Sequence, residues 1–274
     1  MRSSTTITAI SDTATKSRCR RSPPCSIAHR EVAIPNEILT KENGPILEIT
    51  INRPDDGNKM TDDMARELTT LIHGAGERAE LVVLRGAGTD FCLGRAGGRP
   101  PESNEALARR RAYDTIFDCY ASFRRAAVPV VGVVQGKAAG FGCAIAALCD
   151  ITIAAETATF QVPEMGHNIM PGMVLSSLVD RVPRKALVYL VYTTATIDAQ
   201  RALTFGIASD VVPAPRLEET VGKVTSALLK APRPARLAVK EFAGVAYDMN
   251  LQGAVDFARN LHATINSSSE MRPK

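Results

Sequence analysis

The sequence predicts an α/β fold with a helical C-terminal region, and three observations carry that prediction. Short apolar, β-branched runs alternate with segments of helical spacing between residues 46 and 154. Beyond Pro171 the apolar spacing is helical almost to the end. Two of the strand-like runs are followed by loops of small residues, the arrangement in which α/β proteins place their chemistry.

The elements follow in order. Ile46-Leu47-Glu48-Ile49-Thr50-Ile51 reads as a strand, and Asn52 to Asn58, with Pro54, Asp55, Asp56 and Gly57, as a turn cluster. Thr61 is placed to cap a helix running to Arg78, with Met64, Leu68, Leu71 and Ile72 on one face. Residues 81–84 read as a short buried strand, residues 104–125 as one long helix, and residues 130–134 as another strand. Residues 138–148 read as a glycine-led buried helix and residues 151–154 as a strand.

Composition narrows the class. The chain of 274 residues is 45% hydrophobic and 23% charged, ordinary for a globular protein with a real core. The longest uncharged apolar run, residues 138–149, is too short to span a bilayer, so no membrane partner is expected. The net charge is +4, and residues 1–33 carry all of it, with six basic residues against two acids. Residues 34–274 sum to zero, so no nucleic-acid partner is expected of the body. The Ser/Thr/Arg-rich residues 1–33 are expected to be a disordered basic extension. The six cysteines have no C-x-x-C spacing; Cys143 and Cys149 read as buried free thiols, which suits a reducing compartment. That is the cytoplasm, or the mitochondrion if the Arg- and Ser-rich extension is a transit peptide.

Most motif-borne chemistries are absent. No P-loop or nucleophile elbow occurs, and Gly74 and Gly76 close a helix rather than follow a strand, so no dinucleotide loop is inferred. None of the four histidines has metal-ligand spacing, so no metal is expected. His73 and His262 read as helix-surface residues, and Asp62, Asp63 and Glu102 as solvated acids. What remains is a pair of strand-then-loop segments, residues 84–95 and residues 133–144. Gly140 and Gly142 flank a helix start whose first N–H groups are unpaired and suited to negative charge. Joined by an N–H from the first loop, such an end can hold an oxyanion.

Read onward, residues 136–143 are followed by Leu148-Cys149-Asp150, Phe160-Gln161-Val162-Pro163-Glu164, Gly166 and Pro171-Gly172. Upstream stand Asn52-Arg53-Pro54 with Asn58, and Phe91-Cys92-Leu93-Gly94; downstream stand Ala202-Leu203, Gly206 and Val211-Val212. Across residues 38 to 245 this resembles the crotonase superfamily, the enoyl-CoA hydratases and isomerases. The resemblance implies a crotonase-like ββα spiral core over residues 34–200 and a helical C-terminal region over residues 201–274. It also implies homotrimers, often paired into hexamers, and an acyl-CoA thioester as ligand, with coenzyme A entering as part of the substrate and no other cofactor.

Carried over by motif, the backbone N–H groups of Arg95 and Phe141 form the oxyanion hole and Glu164 is the catalytic carboxylate. The hydratases' other glutamate falls on Ala144, which can neither accept a proton nor orient water. One carboxylate with an oxyanion hole suits an isomerase-like proton shuttle. The alternatives are a hydratase using a substitute base, for which His167 is nearest in sequence, or a non-catalytic CoA-binding scaffold. Ala144, His167 and Gly172 are the acyl-pocket candidates. Met173, and Arg95-Ala96 after Gly94, depart from the family pattern and point to an unusual acyl group.

Overall fold

The β-branched run at residues 46–51 becomes a strand buried at every second residue, and it organises the first half of the protein. The computed structural model describes residues 36–97 and 102–272; the basic extension predicted over residues 1–33 lies outside them. Strand β1 (Ile38–Asn43) turns at Gly44 (φ +57°) into the antiparallel β2 (Ile46–Ile51). Thr61 then caps α1 (Asp62–Arg78) as its spacing predicts, its hydroxyl accepting from the Met64 N–H at 3.2 Å. Strand β3 (Leu81–Gly86) returns parallel to β2.

The expected long helix at residues 104–125 is two helices, α2 (Ala106–Arg111) and α3 (Asp114–Arg125). At the break the Tyr113 N–H reaches the Arg110 carbonyl instead of continuing the helical ladder. Strand β4 (Val130–Val134) is buried throughout, as a parallel strand covered on both faces must be.

The expected helix at residues 138–148 is also corrected. Residues 137–139 form β5 (Lys137–Ala139), Gly140 turns at φ +50°, and α4 (Phe141–Leu148) begins only there. The cause is nonlocal: β5 pairs with β7 (Thr159–Gln161), which claims its backbone groups. Strand β6 (Ile151–Ala155) joins the main sheet. Helices α5 (Gly172–Leu178), α6 (Arg184–Thr193) and α7 (Ala199–Thr204) follow. Two short strands interrupt the helical pattern expected after Pro171: β8 (Ile197–Asp198) pairs with β7, and β9 (Asp210–Val212) with β6. The C-terminal helices are α8 (Leu217–Lys230), α9 (Arg233–Val245) and α10 (Leu251–Asn266).

The six-stranded sheet runs β1-β2-β3-β4-β6-β9, and a three-stranded sheet runs β5-β7-β8. Alternate residues of the main sheet serve two cores. Val82, Leu84, Val130 and Val134 join the large core with α1, α3 and α4. Leu81, Val83, Val131 and Val133 meet Leu217 and Val221 of α8 on the other face. Cys92, Cys119, Cys143 and Cys149 are buried free thiols, as expected of the latter two. Among the described residues no helix is long and apolar enough to cross a membrane.

Asn58 ties the first turn to the loop after β3. It is fully buried in the left-handed region (φ 55°). Its amide donates to the carbonyls of Ala87 (2.7 Å) and Asp90 (2.8 Å), and its oxygen accepts from the Arg53 N–H (2.8 Å). Asn58→Ala strands all three backbone groups, each worth about 1–3 kcal/mol when buried and unpaired. We expect urea denaturation of that variant to show a loss of about 3 kcal/mol or more.

Candidate active site

The site is built where the loops leaving β3 and β4 meet. The N–H groups of Phe91 and Cys92 both donate to the Lys137 carbonyl (3.1 Å each), and the Ala139 N–H donates to the Cys92 carbonyl (2.9 Å). Asp90 accepts from the Lys137 N–H (2.9 Å), and the Gln135 amide donates to the Gly86 carbonyl (2.7 Å). Two glycines permit this approach. A Cβ on Gly136 would sit 2.1 Å from the Thr89 carbonyl oxygen, and one on Gly142 would sit 2.1 Å from that of Cys92.

Arg95 is held from its far side. The Met60 N–H donates to the Gly94 carbonyl and the Ala96 N–H to the Met60 carbonyl, both at 2.9 Å. In such a parallel bridge the central residue's own N–H turns away from its partner. Phe141 opens α4, where no helical acceptor exists for its N–H. Among the described residues, neither the Arg95 nor the Phe141 N–H finds a protein acceptor.

Both residues line a cavity of about 410 Å³ whose walls include Gly94, Tyr120, Gly140, Glu164, His167 and Met173. Glu164 opens a 3-10 turn, Glu164–His167, closed by Asn168 in the left-handed conformation. Its Oε1 lies 2.8 Å from where a Cβ on Gly140 would stand, so glycine is required there for the carboxyl to approach α4. Its Oε2 is buried without a hydrogen-bond partner. Burial pushes the Glu164 carboxyl above the ordinary carboxylate value, opposed by a hydrogen bond from its own backbone and by the charge of His167.

Arg95, Phe141, Glu164 and His167 thus meet around one cavity, whereas Ala144 and Gly172 are not among its walls. Ala144 is fully buried within α4, and Gly172 starts α5 between Pro171 and Met173, which do line the cavity. Asp62 corrects the expectation of a solvated acid: it accepts from the Arg95 guanidinium at 2.7 Å, and both side chains are only 19% exposed. Tyr120 has no counterpart in the sequence reading. It sits on the buried face of α3 with Ile116, Cys119 and Phe123, a spacing indistinguishable from core. Among the described residues no cluster of His, Cys, Asp or Glu could hold a metal ion.

The family model described as enoyl-CoA hydratase/isomerase matches residues 41–273. The short-chain-enoyl-CoA hydratase of Clostridium acetobutylicum is 30% identical over 203 residues, 71% of this chain and 76% of that protein. The crystal structure of an enoyl-CoA hydratase from Mycobacterium smegmatis superposes with a TM-score of 0.80 at 22% identity, covering 86% of this chain and 93% of that one. A putative enoyl-CoA hydratase from Thermobifida fusca, solved in complex with CoA, has a TM-score of 0.76 at 26% identity, covering 83% of this chain and 92% of that one.

Because burial raises the Glu164 value in the folded state, the stability this group supports is present below the ordinary carboxylate range. It is lost as pH rises through the raised value. Glu164→Gln removes the charge and keeps the shape. Thermal melts are expected to show the variant more stable than wild type at pH 7, with the difference shrinking towards pH 4.

Proposed function

The chain belongs to the enoyl-CoA hydratase/isomerase family, and on that premise we propose that it moves a proton at the carbon next to the carbonyl of an acyl-CoA thioester. The observation that carries this reading is the sharing of one cavity by Glu164 and two N–H groups without protein acceptors. The thioester oxygen would accept from the Arg95 and Phe141 N–H groups. Each such donor contributes about 3–4 kcal/mol to a transition state with enolate character. Glu164, desolvated and without a partner on Oε2, is the base. Coenzyme A comes with the substrate, and the chemistry calls for no other cofactor or metal.

With a single carboxylate, the reaction this arrangement suits best is double-bond migration. Glu164 takes a proton from carbon 2 of a 3-enoyl thioester and returns it to carbon 4. Hydration of a 2-enoyl thioester is the second reading, favoured by the hydratase names of the relatives above. It requires a group besides Glu164 to hold the water. His167 stands on the cavity wall but in the exposed turn, and is the weaker choice for that task.

We further propose that the protein is a homotrimer, or a hexamer made of two trimers. Exposed Val239, Tyr247, Leu251 and Val255 on the last two helices and the turn between them offer apolar surface for such contacts. Sedimentation equilibrium should give three or six times the mass of 29.4 kDa; a monomer would overturn the assembly.

Solvent deuterium entering carbon 2 of a bound acyl-CoA, read by mass spectrometry, tests the chemistry. Glu164→Gln should slow that exchange by roughly 10²–10⁴-fold with little change in thioester affinity. Exchange unaffected by the substitution would refute the role of Glu164.

A further inference from the structure

Two polar groups line the same cavity, each with a hydrogen-bonding position that no described residue fills. One is Glu164, whose Oε2 is buried and unpartnered. The other is Tyr120. Its side chain is 2% exposed, it lines the cavity, and among the described residues its hydroxyl makes no hydrogen bond. A tyrosine hydroxyl on a largely buried ring ordinarily has a partner. The Tyr120 hydroxyl is not among the enclosed unpartnered atoms, so the cavity that Tyr120 lines is where a partner can reach it.

The position of the phenol is fixed by packing. Tyr120 lies on α3, and its ring meets the Phe141 ring at 5.3 Å between centroids. Phe141 is the residue whose N–H faces the thioester oxygen in the reading above. Tyr120 therefore shares the cavity with both Arg95 and Phe141 and with Glu164.

The two groups are chemically complementary. Burial, with the nearby charges of Cys119 and Glu164, holds the Tyr120 hydroxyl well above its ordinary value, so it is a neutral donor and never a base. An ionised carboxylate only accepts. A water oxygen between them accepts from the phenol while its own O–H donates to the carboxylate. An alkyl chain in that place would satisfy neither.

We propose that Tyr120 is a further catalytic residue, which holds with Glu164 the water that adds to carbon 3 of a 2-enoyl thioester, supplying the water-orienting contact that Ala144 cannot make. The proposal rests on the reading of Glu164 as the proton carrier for a thioester enolate, and adds hydration to it. The water oxygen bonds to carbon 3 as the π electrons of the C2–C3 double bond move onto the thioester oxygen. Glu164 takes the proton this water loses. As the enolate collapses, Glu164 gives a proton to carbon 2. One water is consumed, one 3-hydroxyacyl thioester forms, and the enzyme returns to its starting state.

The test compares wild type with Tyr120→Phe, which keeps the ring against Phe141 and removes only the hydroxyl. Two activities are followed: conversion of 2-enoyl-CoA to 3-hydroxyacyl-CoA, and deuterium exchange at carbon 2 of a saturated acyl-CoA. Tyr120→Phe is expected to lower kcat for hydration by about 10²–10³-fold with KM little changed. Exchange should fall far less, and the melting temperature should hold. Equal loss of both activities would mean that Tyr120 only supports the cavity, and undiminished hydration would mean that it holds no water; either overturns the proposal. A wild type that exchanges but does not hydrate overturns it while leaving the role of Glu164 standing. A wild type that does neither removes both.

Discussion

The candidate site depends on the contact of two backbones. The segments 89–95 and 136–142 approach so closely that Gly136 and Gly142 each have a carbonyl oxygen of the facing loop where a Cβ would be. Any side chain at either position would force the loops apart. The consequence is longer than the contact itself, because the residues beyond it, Arg95 and Phe141, have N–H groups that find no acceptor among the described residues. A shift of a few tenths of an ångström there changes the separation of two donors that must reach one oxygen.

The parallel sheet supplies the frame for that contact. Strands β3 and β4 are neighbours in register, so their C-terminal ends deliver both loops to the same edge. Both are buried on two faces, one against α1, α3 and α4 and the other against α8, which leaves little freedom at the loop roots. Asn58 adds a second restraint by bonding the carbonyls of Ala87 and Asp90. Lys240 of α9 adds a third, pairing with Asp150 just before β6 and with the carbonyl of Phe123 at the end of α3. The C-terminal helices are thereby tied to the same sheet that positions the site.

How much of this was legible follows from whether the signal is local. The strands at residues 46–51, 81–86, 130–134 and 151–155 carry their own β-branched runs, and the Thr61 cap is a local hydrogen bond; all were readable. The strands β5, β7, β8 and β9 have only two or three residues each and exist through partners far along the chain, so no window of sequence marks them. The same holds within the cavity. Glycine spacing and Pro163-Glu164 announce the loops and the carboxyl. Tyr120 carries the periodicity of core, and Asp62 reads as a helix-start acid until Arg95 is folded against it. Ala144 and Gly172 were chosen by position in a motif, which fixes the backbone location and not whether the residue reaches the cavity.

Charge decides what a cavity with one carboxyl can do. Burial already holds Glu164 above the ordinary carboxylate value, which makes it a stronger base once ionised and lets it hold a proton more readily than an exposed carboxyl. A second carboxylate beside it would raise that value further and oppose ionisation of the pair. The Arg95 guanidinium does not relieve this, being committed to Asp62, and the cationic influence on Glu164 comes from His167. A neutral phenol lining the same cavity supplies a hydrogen-bond donor without adding another negative charge. The cavity can therefore orient a polar reactant without setting a second negative charge beside Glu164.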